Sequence, residues 1–267
     1  MHFGGRLIPI GPWDIPTFGL MLWVATVCGA IVMHWSFRRA HVEADALGIV
    51  ALTVVAGIVG AKLWHVLDSP AEFRADGWSV LWSTGGFAWF GGLIAGILAL
   101  IIQGKQAGLK ALRMLDLAAP AAAIGYAIGR IGCLTSGDGD YGIPSNLPWA
   151  MGFPDGIDPT PPGVRVHPTP IYELIAGLLI GWWLWRRSGK RGLKLGTGEI
   201  LGEYLFLTGL ARFLVEFIRR NPHVLWGMSN AQLASAGSMI AGLVVIWIAS
   251  RRTKPEPEEP AEMAKAA

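Results

Sequence analysis

Seven runs of apolar residues of near-spanning length follow one another along the 267-residue chain: Phe18–Ser36, Leu47–Leu67, Gly86–Gln103, Leu115–Thr135, Pro170–Trp185, Glu199–Ile218 and Leu233–Ile248. A helix needs ~20 such residues to cross ~30 Å of hydrocarbon, and each run comes close to that length. Composition agrees. Only 15% of residues are charged, against about 25% in soluble domains, and the mean hydropathy is +0.45. The 36 Gly and 13 Trp fit the same class, since Gly is frequent in spans and Trp gathers at interfaces. The sequence therefore predicts an integral membrane protein.

Lys and Arg set the orientation. Fourteen of the 22 follow runs one, three, five and seven, five lie on the other side, and Lys62, Arg130 and Arg212 fall inside or at the edge of runs. By the positive-inside rule the N-terminus is extracytoplasmic and the C-terminus cytoplasmic. The expected fold is an all-α polytopic membrane protein of seven transmembrane helices, forming one domain over residues 1–252. An extracytoplasmic loop, 136–169, joins helices four and five. It holds Asp138, Asp140, Asp155, Asp158 and seven prolines, which predicts a structured surface loop. Trp149, Met151 and Phe153 in it predict packing on the membrane surface. Residues 253–267 are rich in Pro and Glu and are expected to be disordered. Residues 1–16 are polar and Pro-rich and do not have the pattern of a signal peptide. A net charge of +3 gives no argument for nucleic acid, and Cys28 and Cys133 have neither disulfide-framework nor metal-ligand spacing.

The charges inside the runs carry the functional reading. Arg130 sits at the end of run four, just before the loop, and an ionised Arg in a span costs roughly 2.5–3.5 kcal/mol on insertion scales. Run six places Thr208, Arg212, Glu216 and Arg219 at i, i+4, i+8 and i+11, one narrow helix face. Glu216 can pair with either Arg. One Glu leaves positive charge over, and guanidinium forks suit phosphate oxygens, so Arg130 and Arg212 are expected to hold a phosphate together. Tyr126, one turn before Arg130, can share its face. Gly132 extends a Gly125/Gly129 stripe and is expected to leave room for a ligand beside Arg130. Gly92/Gly96 and Ala56/Gly60 predict close helix packing. Val166-His167-Pro168-Thr169-Pro170-Ile171-Tyr172-Glu173 is a polar motif at the mouth of run five, where His167 either braces the helix entry or acts in the site. Asp116 is expected to partner a helix N-terminus. Lys62 and His65 either line the cavity or reach the interface.

The motifs, in this order, resemble the prolipoprotein diacylglyceryl transferase family: Phe18-Gly19-Leu20-Met21, Gly85 to Ile94, Gly129-Arg130-Ile131-Gly132, Leu147 to Met151, His167 to Glu173, and Gly209 to Arg219. The resemblance implies a multi-pass enzyme of the bacterial inner membrane. Such an enzyme moves the diacylglyceryl group of phosphatidylglycerol to the lipobox cysteine thiol of a preprolipoprotein signal peptide, forming a thioether and releasing glycerol phosphate, with no cofactor and no metal. It further implies that Arg130 and Arg212 contact the phospholipid headgroup and that Glu216 and Arg219 support them. The chain also departs from the family. Phe90 stands where a His or Tyr is usual, Thr208 and Phe18 stand for Tyr, and Cys133 for Asn. Asp138 aligns with a family Glu. The thiol's proton acceptor is then sought among Asp138, Asp140, His65 and His167. The alternative is a relative that binds anionic phospholipid without transferring it, or with altered specificity.

Overall fold

The structure, a computed structural model, describes residues 7–10, 13–83, 85–190 and 195–252. Among these the chain is mostly helical. Seven helices of 18 or more residues are α1 (Thr17–Arg39), α2 (Ala46–Asp68), α4 (Trp89–Gln106), α5 (Ala111–Ser136), α6 (Thr169–Ser188), α7 (Glu199–Glu216) and α8 (Asn230–Arg252). Each overlaps one of the seven apolar runs. Five are long and apolar enough to cross a membrane; α6 and α7, which carry Glu173, Arg212 and Glu216, are not among them. The cause is composition, since each interrupts its apolar surface with buried charge. The expected tail, 253–267, lies outside the described residues.

Three small elements depart from an all-helical plan. Strands β1 (Leu7–Ile10) and β2 (Trp13–Pro16) form a hairpin before α1, and β3 (His223–Leu225) pairs with β4 (Met228–Ser229) between α7 and α8. A short helix α3 (Pro70–Asp76) and a 3-10 turn, Gly77–Trp82, fill the connection between α2 and α4.

Small residues let the helices approach. Carbon at the Cβ position of Gly60 would lie 2.6 Å from the Gly91 carbonyl oxygen, and at Gly92 it would lie 3.2 Å from the Gly57 carbonyl oxygen, so α2 and α4 touch through backbone. Without a hydrophobic drive between helices in lipid, this contact supplies the packing. Asp116 of α5 is fully buried. Its Oδ2 accepts the Gly196 and Gly198 N–H groups at 2.8 and 3.1 Å, and Oδ1 accepts Leu201 N–H at 2.9 Å. The expected helix-terminus partner is thus the N-terminus of α7, whose orphan N–H groups need an anion.

Lys62 neither snorkels nor lines an open cavity. Its ammonium donates to the Ser83 carbonyl at 2.7 Å, Ser83 Oγ at 3.0 Å, Val80 carbonyl at 3.3 Å and also to the Gly85 carbonyl. That cage ties the connection onto α2. His65 packs against Gly86, where no Cβ could fit, and its Nε2 lies 3.1 Å from Glu72 Oε2.

At the other end of α5, Gly137 takes a left-handed conformation (φ +57°), and its N–H caps the Cys133 carbonyl at 3.0 Å. An L side chain rarely adopts that geometry, so Gly137 turns the chain sharply into the loop within two turns of Arg130. The loop has its own core of Tyr141, Met151, Phe153 and Val166, with the Tyr141 and Phe153 rings stacked at 5.2 Å. Of the three residues expected to rest on the membrane, Met151 and Phe153 therefore face inward. Trp149 alone is exposed, its indole N–H donating to Tyr172 Oη at 2.7 Å. The loop also grips the end of α7: Ile143 N–H donates to the Ile218 carbonyl at 2.8 Å, and Gly142 bridges to Arg219.

Candidate functional site

Four segments bring three guanidiniums and three carboxylates together. Arg130 comes from α5, Arg212 and Glu216 from the last two turns of α7, Arg219 from the turn after it, Glu173 from the second turn of α6, and Asp140 from the loop. Glu173, 3% exposed, is shared by all three arginines. Its Oε1 lies 3.4 Å from Arg130 Nη2 and 3.5 Å from Arg212 Nη1, and its Oε2 lies 3.5 Å from Arg219 Nη1. Tyr126 Oη donates to Glu173 Oε1 at 2.6 Å and accepts from Arg130 Nη2 at 2.8 Å. Tyr126 therefore shares the Arg130 face, as the one-turn spacing predicted.

Glu216 is nearly buried and pairs with Arg212 Nη2 at 3.0 Å, with Arg219 Nε 3.6 Å away. Asn221 and Ser229 each donate to its Oε1 at 2.6 Å. Asp140 bridges the remaining two cations, one oxygen to Arg130 Nη1 and the other to Arg219 Nη2. Arg219 Nη1 also donates to the Asp140 backbone carbonyl at 2.9 Å.

This arrangement corrects the charge argument from the sequence. The positive charge expected to be left over is matched by Asp140 and Glu173, giving three Arg and three acids. The sequence showed the i, i+4 pairing on α7 but not the acids that the loop and α6 deliver from 79 and 39 residues away. The signal available was Tyr172-Glu173 at the mouth of run five, a carboxylate placed where hydrocarbon begins.

Gly132 is also corrected. Its Cβ position lies 3.2 Å from Met21 Cβ and 3.3 Å from the Phe18 ring, so it packs on α1 and gives no room to a ligand. Gly129 has open space instead. The structure does not bring His167 into this cluster. Its Nδ1 lies 3.2 Å from Tyr172 Oη, and its backbone N–H binds the Ile143 carbonyl at 3.1 Å, which braces the loop against the start of α6. Thr208 turns its hydroxyl back to the Tyr204 carbonyl at 2.6 Å.

Beside the cluster, Cys133 Sγ and the carboxylates of Asp138 and Asp140 lie within 4.8 Å of one another. The two Asp differ in environment. Burial pushes the Asp138 carboxyl up, and the adjacent Asp140 charge adds to that. Burial also pushes Asp140 up, but Arg130 and Arg219 outweigh it and hold Asp140 below the usual carboxylate range. Asp138 is thus the more basic of the pair. Asp140 is committed to two guanidiniums, so the trio is not a free ligand set for a cation. Arg130 Nη1 lies 3.5 Å from Cys133 Sγ.

Long apolar helices enclosing a buried Arg–carboxylate cluster, roofed by a packed loop, define a multi-pass membrane protein with a buried ionic site. Within that class the chain belongs to the prolipoprotein diacylglyceryl transferase family, whose model matches residues 6–248. Among its relatives is a phosphatidylglycerol–prolipoprotein diacylglyceryl transferase of Finegoldia magna, 32% identical over 87% of this chain and 90% of that one. Enzymes of the same name from Trichormus variabilis and Bordetella avium are each 30% identical over 96% of this chain, covering 93% and 98% of their own lengths.

Proposed function

We propose that this protein transfers the diacylglyceryl group of phosphatidylglycerol to the cysteine thiol of a prolipoprotein. The peptide thiol loses its proton, sulfur bonds to the glyceryl carbon that carries the phosphate, and that carbon–oxygen bond breaks with its electron pair on the phosphate oxygen. The products are a thioether and glycerol phosphate. The observation that carries the reading is the convergence of Arg130, Arg212 and Arg219 on Glu173, which gathers three guanidiniums at one place. Such preorganised donors are worth several kcal/mol to a leaving group in a dry site, about 3–4 for a single donor.

Arg130, Arg212 and Arg219 hold the phosphate between them, while Glu216 and Tyr126 fix their positions. Asp138 takes the thiol proton. It is the carboxylate beside the cluster that no guanidinium holds in an ion pair among the described residues, and its environment raises its basicity. Phe90, whose ring cannot exchange a proton, is half exposed next to Trp89, and His65 and His167 are engaged by Glu72 and Tyr172. The helices span the bacterial inner membrane seven times with the N-terminus outside, which puts the loop 136–169 and the lipobox of the client signal peptide on the extracytoplasmic face.

The test is thioether formation on a lipobox peptide in phosphatidylglycerol vesicles. Arg130→Ala is expected to abolish it, and full activity in that variant would sink the assignment. Phosphatidylglycerol binding without product from any lipobox peptide would instead favour a lipid-binding relative.

A further inference from the structure

A cluster of three Arg and three carboxylates has no net charge to offer a lipid phosphate. Yet it carries unused hydrogen-bonding capacity at the same place: Arg130 Nε is a buried donor without a hydrogen-bond acceptor among the described residues, and so is Arg219 Nε, whose nearest carboxylate oxygen, Glu216 Oε2, lies 3.6 Å away, beyond hydrogen-bond reach. A buried donor left unmatched costs about 1–3 kcal/mol, so native sites rarely keep one without a ligand to satisfy it. The three acids are not equivalent. Glu173 and Glu216 are on helices and almost fully buried, and Glu216 is further fixed by Asn221 and Ser229. Asp140 is on the loop, its side chain is 29% exposed, and it spans Arg130 and Arg219 with one oxygen each. Two anionic oxygens bridging two guanidiniums is also the way the non-bridging oxygens of a phosphodiester would sit there.

We propose that Asp140 is a built-in stand-in for the lipid phosphate, occupying the Arg130–Arg219 seat until a phosphodiester displaces it. The exchange replaces one negative charge by another, so the cluster stays neutral. The ester oxygens of the incoming group then reach the idle Nε donors, which a carboxylate spanning the two Nη groups leaves unmet. Displacement releases the Asp140 side chain from α5 and from Arg219 and loosens the roof over the site while the lipid is bound, with the backbone bonds of Asp140 and Ile143 still tying the loop to the segment after α7. The inference rests on the phospholipid reading above but concerns binding, not transfer.

It is tested in phosphatidylcholine nanodiscs titrated with phosphatidylglycerol, comparing the full chain with Asp140→Asn and, as a control on the same loop, Asp158→Asn. Asp140→Asn is expected to bind phosphatidylglycerol about tenfold more tightly, because its neutral amide competes less well for the guanidiniums, while Asp158→Asn matches the wild type. Unchanged or weaker binding by Asp140→Asn overturns the proposal. A second readout does not depend on the variant folding: amide exchange over residues 137–145 of the wild type should accelerate with phosphatidylglycerol. Exchange that slows or does not change overturns it. Acceleration by soluble glycerol phosphate in pure phosphatidylcholine, without any by phosphatidylglycerol, overturns the assignment to the lipid. Tighter binding by Asp140→Asn with no thioether from any variant upholds the stand-in and defeats the transferase reading, so the two fail separately.

Discussion

Glu173 is the anion on which the cluster depends, and Glu173→Gln isolates that dependence. The substitution keeps shape and an oxygen acceptor but removes the charge that faces Arg130, Arg212 and Arg219 at 3.4–3.5 Å. It leaves three guanidiniums against Asp140 and Glu216. Taking one partner from a buried pair costs about 3–5 kcal/mol, because the charge left behind stays desolvated. At about 2–4 °C per kcal/mol for domains of this size, the apparent Tm should fall by roughly 6–20 °C. Tryptophan fluorescence in detergent micelles follows the transition. The surplus positive charge makes a second expectation: phosphatidylglycerol should raise the Tm of the variant more than that of the wild type, since tighter ligands stabilise more at a given concentration. A shift below about 2 °C, with no extra lipid response, would refute Glu173 as the shared counter-ion.

Two further outcomes follow from groups away from that carboxylate. Asp116→Ala strips three N–H groups at and just before the start of α7 of their acceptor; with charge-assisted bonds worth about 1.5–3 kcal/mol each and not fully additive, a loss of about 3 kcal/mol or more is expected, partly restored by Asp116→Asn and read as Tm. The lowered carboxyl of Asp140 contributes stability that is complete above its unfolded value, about 3.9, and is lost as pH falls through its folded value, so thermal scans below about pH 4 should show an acid loss that Asp140→Asn reduces.

Much of the architecture was legible because it rests on local rules. Run length marked every long helix, and the spacing of Ala56/Gly60 and Gly92/Gly96 anticipated the close approach of α2 and α4 at Gly60 and Gly92, but not their partners Gly91 and Gly57. The face shared by Tyr126 and Arg130, and that shared by Arg212 and Glu216, followed from helical geometry alone. What the sequence hid is what the loop decides. Asp140 lies ten residues beyond Arg130 in an irregular segment, where no periodicity says which way a side chain turns, so its bridge to Arg219 had no local signature. Gly132 misled for a related reason: a small residue permits close approach, but whether a helix or a ligand makes the approach depends on where α1 lies. Lys62 was ambiguous until the carbonyls of Val80, Ser83 and Gly85 closed around it.

The Asp116 clamp has a mechanical consequence. It joins α5 to the start of α7, while the arginines sit at the far ends of the same two helices. Arg130 is about 21 Å along α5 from Asp116, and Glu216 about 22 Å along α7 from Leu201, at 1.5 Å per residue. Two rods of matched length, joined at one end, behave as tongs. Each degree of splay about that joint parts their tips by roughly 0.4 Å and leaves the jointed end almost still. Any widening between the rods is thereby greatest at the arginines, with the opposite end held by a single carboxylate.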